Sequence, residues 1–407
     1  MNEKVGLVRN QVRRDRLKTA AALAALVCGL FFGASVRANE SVVRIGNTNP
    51  YSGPASAWGA AGKAISAYFN QLNEQGGIQG KTIQFISLDD AYSPAKTVEL
   101  TRRLVEQDRV LLMFGALGTS TNLAVQQYLN DRKVPQLFVQ SGASRWNNPK
   151  QFPWTMGWSP SYHSEGRIYA QAILSQPSPA RIAVLYQNDD FGKDYLKGLR
   201  DGLGAEVNRI VAQASYEPTD ATVDGQVIAL KSSGADVLVN FAAPKFAAQV
   251  IRRTAEMGWK PVHYLNVTAN SIKSVLEVAG LNHSVGLISA AYYKDPSDPR
   301  WLGTAELKAY LDFMRKHMPQ ADVNDVFHVA GYCNAQTLEH VLRQSGSDWS
   351  RANIMRQAAN IRALSLPMLL PGVTVNTSDQ DYAPIEAMQL QRFDGQRWHL
   401  FGSIYGR

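Results

Sequence analysis

The strongest constraint on this chain is an alternation. Between residues 42 and 139, and again between 181 and 265, short apolar or β-rich runs are separated by stretches with helical spacing. Residues 42–46 read as a buried strand and 63–69 as helix. Residues 82–88 alternate polar and apolar. Residues 94–107 are helical, with Val98, Leu104 and Val105 on one face. Residues 110–114 form an apolar strand, 121–130 a helix and 134–139 another strand. This order predicts a parallel sheet with helices on both faces. Residues 153–160, which include Trp154 and Trp158, break the pattern and read as a crossover. The alternation then restarts, with strands at 181–186, 207–212, 235–240 and 262–265 and helices at 193–203, 221–232 and 246–257. Two units of similar size predict two lobes. A strand-like run at 286–292 precedes helical stretches at 305–317 and 324–344, which read as a return to the first lobe. The tail, 388–401, alternates again and is expected to pair with the second lobe.

The first 38 residues belong to a different logic. Arg13, Arg14, Arg16 and Lys18 precede an apolar run over 19–34, and Val36-Arg37-Ala38 places small residues where a signal peptidase reads. A secretory signal peptide cut near Ala38 is expected. The rival is an uncleaved anchor, but the run falls short of the ~20 residues a span needs. Cys28 lies mid-run behind Val27, which argues against lipid attachment. Residues 13–18 loosely match a twin-arginine signal, with Arg16 where that motif prefers an apolar residue. Both export routes end outside the cytoplasmic membrane. The segment carries seven basic and two acidic groups, so it accounts for +5 of the formal +8 and leaves about +3 on the mature chain. No basic stripe is concentrated enough for a nucleic-acid partner. A soluble mature protein is expected, because no second long apolar run exists. Cys333 is its only thiol, so no internal disulfide is possible. About 370 residues supply core enough without one, and suggest two domains.

Residues at the carboxyl ends of the expected strands carry the chemistry, because open α/β sheets bind ligands at that edge. Asn49 to Gly59 links the first strand to a helix through small residues, prolines and Trp58, which reads either as a wall for a small guest or as a core aromatic. Gly115 to Thr121 combines glycines with Thr119, Ser120 and Thr121 at a helix start. Free N–H groups and hydroxyls there suit an anion such as a carboxylate, or are spent on capping. Gln140 to Arg145, with Ser141, Ala143 and Ser144, is of the same type. Gln187 to Gly192 places Phe191 beside polar groups on the opposite lobe. An enzyme finds no support. The chain has no Gly-rich phosphate loop, no nucleophile elbow and no zinc spacing among its seven scattered histidines. Asp89 and Asp90 read as turn acids rather than a general acid–base pair. His328 and Cys333 read as ordinary residues of a buried helix.

Taken in order, Ser52-Gly53-Pro54 with Trp58-Gly59, Asn73 to Lys81, Asp89-Asp90 with Pro94, Gly115 to Thr121, Ser141-Gly142-Ala143 and Asp190-Phe191-Gly192 resemble the type I periplasmic solute-binding proteins of the branched-chain amino-acid class. The resemblance covers residues 41–407. It implies an α/β fold of two doubly wound parallel-sheet lobes joined by three crossovers, a Venus-flytrap, with lobe I over 41–158 and 293–387 and lobe II over 159–292 and 388–407. It implies a ligand held between the lobes and delivered to the membrane permease of an ABC importer. By the same resemblance Trp58 packs on the ligand side chain and Thr119, beside Ser120, holds the ligand carboxylate. Ser141, Ala143 and Ser144 supply loop contacts. Phe191 closes from lobe II; beyond the resemblance, Thr268 is expected to close with it.

Two departures stand out. Tyr92 and Gly118 occupy places where relatives often carry a first-lobe disulfide. The stretch Asn266 to Asn270 lacks the Glu that often holds a ligand ammonium. A buried ammonium without an acceptor costs several kcal/mol, so an organic or aromatic acid or an amide is expected alongside a branched-chain-type amino acid. The expectation is thus a monomeric periplasmic binding protein, without catalytic residues, metal or cofactor. A ligand sensor of the same fold and a secreted α/β enzyme are the alternatives.

Overall fold

In the computed structural model, which describes residues 41–406, the chain builds two sheets. The signal peptide expected over residues 1–38, with its cleavage near Ala38, lies outside the described residues. The first sheet has strands β1 (Ser41–Asn49), β2 (Lys81–Asp89), β3 (Leu112–Phe114), β4 (Gln136–Val139) and β5 (Thr155–Gly157), in the order β2-β1-β3-β4-β5. The pairs β1–β3, β3–β4 and β4–β5 are parallel. Helices α1 (Gly59–Glu74), α2 (Pro94–Arg102) and α3 (Thr119–Asp131) carry the chain between strands. The segment read as a bare crossover contains β5, whose three buried residues are too few to show a period.

The second sheet comprises β6 (Ile182–Gln187), β7 (Ile210–Tyr216), β8 (Val237–Phe241), β9 (Val262–Leu265), β10 (Ile288–Ala291), β11 (Met388–Phe393) and β12 (Trp398–Tyr405). Its order is β12-β11-β10-β9-β8-β6-β7. Strands β6 to β10 pair in parallel, and the tail adds β11 and β12 antiparallel at one edge. Helices α4 (Tyr162–Leu174), α5 (Asp190–Leu203), α6 (Asp224–Ser232) and α7 (Pro244–Glu256) accompany it. The sequence reading passed over α4. Ser161 caps it by accepting from the Ser164 N–H at 3.3 Å, and the helix buries Ile168, Tyr169 and Ile173. Strand β7 begins at Ile210, later than expected, because a tight turn over Gly204–Arg209 comes first.

Three further helices, α8 (Ala305–His317), α9 (Val326–Gln344) and α10 (Arg351–Ala358), follow the second sheet's parallel part. Helix α9 packs back onto the first unit. Its Asn334 side chain donates to the Phe138 carbonyl at 3.0 Å, and Thr337 accepts from the Trp158 indole at 3.0 Å. Both Cys333 and His328 are buried on this helix; the His328 ring meets the Asp322 carbonyl at 3.0 Å. Among the described residues no helix is long and apolar enough to cross a membrane.

The two cores differ in chemistry. In the first lobe Phe114 packs edge to face on Phe138 and tilted on Phe69, with centroids 6.4 and 5.7 Å apart. In the second, Tyr169 and Tyr195 stack on Phe241 at 6.3 and 4.7 Å. Those tyrosines carry hydroxyls that need partners, and the partner they share is buried Glu165.

Candidate functional site

The loop after β1 is pinned from below. Asp89 at the end of β2 accepts from the Tyr51 N–H (2.9 Å), the Ser52 N–H (3.2 Å) and the Ser52 hydroxyl (2.6 Å). Asp90 accepts from the Tyr92 N–H and the Thr97 hydroxyl, both at 2.9 Å. The acid pair is therefore spent on turns. Ala91 and Tyr92 both adopt left-handed backbone, at φ 50° and 61°. This conformation costs a non-glycine residue roughly 1–2 kcal/mol, offset here by the carboxylates that bind their N–H groups. The result aims the Tyr92 ring at Trp58, with centroids 5.7 Å apart.

Gly118, at φ 106°, caps α3, and no side chain caps that helix. A Cβ on Gly118 would lie 2.6 Å from the Tyr92 ring. Thus the two places that the sequence resemblance sets against a first-lobe disulfide are here a glycine and the aromatic that covers it. Thr121 donates back to the Leu117 carbonyl (2.8 Å) rather than capping. The start of α3, free of a side-chain cap, thus stands at the cavity edge, where Gly118 and Thr119 line it.

Between the lobes lies a cavity of about 80 Å³, taken as the volume open to the centre of a water-sized sphere. A single water needs only ~10–15 Å³ on that measure, so the space suits a small molecule. Trp58, Tyr92 and Thr119 line it from the first lobe, and Tyr162, Phe191 and Thr268 from the second. The lobes meet around it. The Trp58 indole donates to the Thr268 carbonyl at 2.7 Å, and its ring meets Phe191 edge-on at 6.0 Å. Tyr162 meets Phe191 at 5.1 Å. Burial pushes the Tyr162 phenol up to about 12, so it stays a neutral donor. At the other end Asp325, the cap of α9, accepts from Ser271 (2.9 Å) and Ser274 (2.6 Å) of the second lobe.

Of the residues expected at the site, Trp58, Thr119, Phe191 and Thr268 line this cavity, and Ser120, Ser141, Ala143 and Ser144 do not. Ser141 is fully buried. Its oxygen meets the Thr119 hydroxyl at 2.7 Å and accepts from the Trp146 indole at 2.9 Å, so it positions Thr119 from behind. Ala143 is buried beside it. A tight turn over Ser144–Trp146 swings Ser144 to the outer lip, where its N–H and hydroxyl donate to Asp194 of the second lobe at 2.8 and 2.7 Å. Arg145 pairs with Asp190 there at 2.5 Å. Ser120 is half-buried on α3, next to the cavity-lining Thr119.

Sequence reasoning did not place Tyr92, Tyr162, Asp295, Gln391 or Trp398 at the site, though all of them line the cavity. For Tyr92 the signal was present, as the residue standing in a missing bridge. Thr268 is placed by its neighbours. Asn266 accepts from the Thr268 N–H at 3.1 Å, and Glu165 accepts from the Val267 N–H at 2.7 Å. Burial pushes the Glu165 carboxyl up to about 7, against the lowering pull of Tyr169, Tyr195 and the Val267 N–H.

A family model described as periplasmic binding protein matches residues 42–397. The chain belongs to the periplasmic binding protein family. This periplasmic binding protein is of type I and of the branched-chain amino-acid class, a Venus-flytrap of two α/β lobes. It is 24 % identical over 346 residues to Leu/Ile/Val-binding protein homolog 1 of Brucella abortus, covering 82 % of this chain and 85 % of that one. It is 24 % identical over 245 residues to an amino acid binding protein of Pseudomonas aeruginosa, covering 58 % of this chain and 62 % of that relative. Among solved structures it resembles a branched-chain amino acid ABC transporter protein from Thermus thermophilus with bound valine (TM-score 0.81, 16 % identity, 90 % and 97 % covered). It also resembles an ABC transporter solute-binding protein from R. palustris in complex with benzoate (TM-score 0.75, 20 % identity, 89 % and 96 % covered).

Proposed function

We propose that this protein is the substrate-binding component of an ABC importer. It clasps a small carboxylate, either a branched-chain-type amino acid or a related aromatic acid or amide, in the cleft between its lobes and hands it unchanged to the permease. The observation that carries the reading is the interlobe cavity, walled by Trp58, Tyr92, Tyr162 and Phe191 and edged by the start of α3 at Gly118 and Thr119, which no side chain caps. Uncommitted N–H groups at a helix start hold a carboxylate without a cation. Aromatic walls take the apolar remainder. The relatives named for leucine, isoleucine and valine, and the resembling structures with valine and benzoate, frame the same ligand range.

The moving bodies in this reading are lobe I, residues 41–158 and 293–387, and lobe II, residues 159–292 and 388–407. A ligand that touches both favours closure by its difference in affinity for the two states. Export to the periplasm, with the signal removed near Ala38, completes the reading. The test is mass spectrometry of small molecules released from the purified protein, with calorimetric titration of the species found. Recovery of an unmodified small carboxylate that rebinds is expected. Conversion of the recovered molecule on incubation with the protein would refute the reading.

A further inference from the structure

Strands β9 and β10 separate at their carboxyl ends. They pair in parallel with Ile288 opposite Tyr264. One repeat further along, a parallel ladder would join the Ala290 N–H to the Leu265 carbonyl and the Val267 N–H to the Ala290 carbonyl. Here both amides meet side chains of α4 instead. The Ala290 N–H donates to the Tyr169 hydroxyl at 3.0 Å, and the Val267 N–H donates to Glu165 Oε1 at 2.7 Å. The Ala290 carbonyl accepts from the Asn270 and Gln391 amides, at 3.0 and 3.3 Å. Glu165 and Tyr169, about one helical turn apart, thus form a wedge at the sheet edge. The chain that leaves β9 past this wedge carries Val267, Thr268 and Asn270 to the cavity.

The wedge needs one more proton than an ionised Glu165 provides. The Tyr169 oxygen stands 2.5 Å from Glu165 Oε1 and 2.8 Å from the Leu265 carbonyl, and it already accepts from Ala290. A phenol has a single hydrogen to give. Given to Leu265, it completes the interrupted rung, and the short contact with Oε1 then takes its hydrogen from the carboxyl. Given to Oε1, it leaves the Leu265 carbonyl without that donor. A neutral Glu165 satisfies every contact. It donates to Tyr169 from Oε1, accepts from the Val267 N–H on the same oxygen, and accepts from the Tyr195 hydroxyl on Oε2 at 2.7 Å. The surroundings agree, because Glu165 is fully buried. The titratable groups that bear on it are phenols, Tyr162 and Tyr169 of α4 and Tyr195 of α5, with no basic group among them. Tyr264 of β9 meets the Tyr169 ring, and His163 of α4 is bonded to Asp201. Burial holds the Glu165 carboxyl up at about 7.

We infer that Glu165 is a positioning residue for the ligand wall and acts through its proton. The neutral carboxyl bridges the parted strands. It holds the Val267–Thr268 segment where the Thr268 carbonyl accepts from the Trp58 indole across the cleft, at 2.7 Å. An ionised carboxylate at this place has no cation to meet, and it either draws the Tyr169 hydrogen away from Leu265 or stands short of a donor. Loss of the proton therefore loosens the wall and weakens the grip. The inference rests on the clasp reading only for its effect on ligand, since the wall can be followed without one.

The test is nuclear magnetic resonance of the purified protein, isotope-labelled at glutamate carboxyl carbons and tryptophan indole nitrogens. Glu165→Gln and Trp58→Phe identify the two signals of interest. Between pH 6 and pH 8 the Glu165 carboxyl and the Trp58 indole are expected to shift with one midpoint. Glu165→Gln has no proton to lose and should leave the Trp58 signal flat. Tyr195→Phe keeps the stacked ring and removes a donor to the anion, so both midpoints should move up together. Melting curves check that each variant keeps its fold. In titration calorimetry with benzoate and with leucine, the probe that binds should do so about threefold or more weakly at pH 8 than at pH 6, and equally at both in Glu165→Gln. A Glu165 signal already at the carboxylate position at pH 6, or a Trp58 signal that still moves in Glu165→Gln, overturns the assignment and leaves the clasp standing. Binding of neither probe removes the clasp, and the indole signal still decides the wall.

Discussion

The two faces of the cleft are held rigid in different ways. On the first lobe, a hydroxyl–indole chain of Thr119, Ser141 and Trp146 and the carboxylate-pinned turns at Asp89 and Asp90 fix the wall, over a core of phenylalanines. On the second, the loop bearing Thr268 hangs from a fully buried carboxylate, Glu165, which two core tyrosines and the Val267 N–H satisfy. The first face owes its shape to backbone conformation and to groups bonded at sequence-local turns. The second owes it to one ionisable group whose charged form the interior resists. The faces should therefore fail under different insults, steric for the first and acid–base for the second.

The sharpest way to break the first face is Gly118→Ala. The added Cβ would strike the Tyr92 ring and sit on a backbone at φ 106° that side chains rarely adopt. A cost of about 3 kcal/mol, or ~100-fold in ligand affinity, is expected by titration calorimetry. An unchanged affinity would show that the start of α3 is not part of the grip.

The second face is tested by pH. The Glu165 carboxyl rises from an ordinary 4.5 to about 7 on folding, so the folded protein holds this proton more tightly than the unfolded chain. Its contribution is complete below the unfolded value and is lost as pH climbs through about 7, by up to about 3 kcal/mol. Denaturant unfolding of wild type should therefore show a fall in stability from pH 5 to pH 8 that Glu165→Gln lacks. Parallel pH profiles in the two proteins would remove Glu165 as the cause.

The smallest effect belongs to the lip, where neither face's chemistry is involved. Asp194→Ala deletes the Ser144 clasp beside the exposed Arg145–Asp190 pair. Exposed polar links are worth about 0.2–1 kcal/mol. A two- to fivefold loss of affinity, equal for every ligand, is the expected calorimetric result. A loss confined to one ligand would mean that Asp194 reads the guest rather than the closure.

How much of this was legible in advance follows from range. Strand–helix alternation repeats within ten to fifteen residues, so the two-lobed plan and the bounds of α8 could be read from local periodicity. Trp58 and Thr119 sit at strand ends, where the turn chemistry is written in consecutive residues. Strand β5, at three residues, was too short for a period. Ser144 stands at the lip rather than along the cavity because of one tight turn that composition does not reveal.

The sequence by itself therefore determined the fold class and the two units, and it singled out Trp58 and Thr119, because each is encoded by neighbours along the chain. Only the tertiary structure decided that Tyr92 covers Gly118, that Glu165 holds the loop of Val267, and that Asn270 and Gln391 share the Ala290 carbonyl. Those groups lie from tens to more than a hundred residues apart. Their meeting is set by the order in which strands join the sheets and by the point where the chain crosses between lobes, neither of which leaves a local trace.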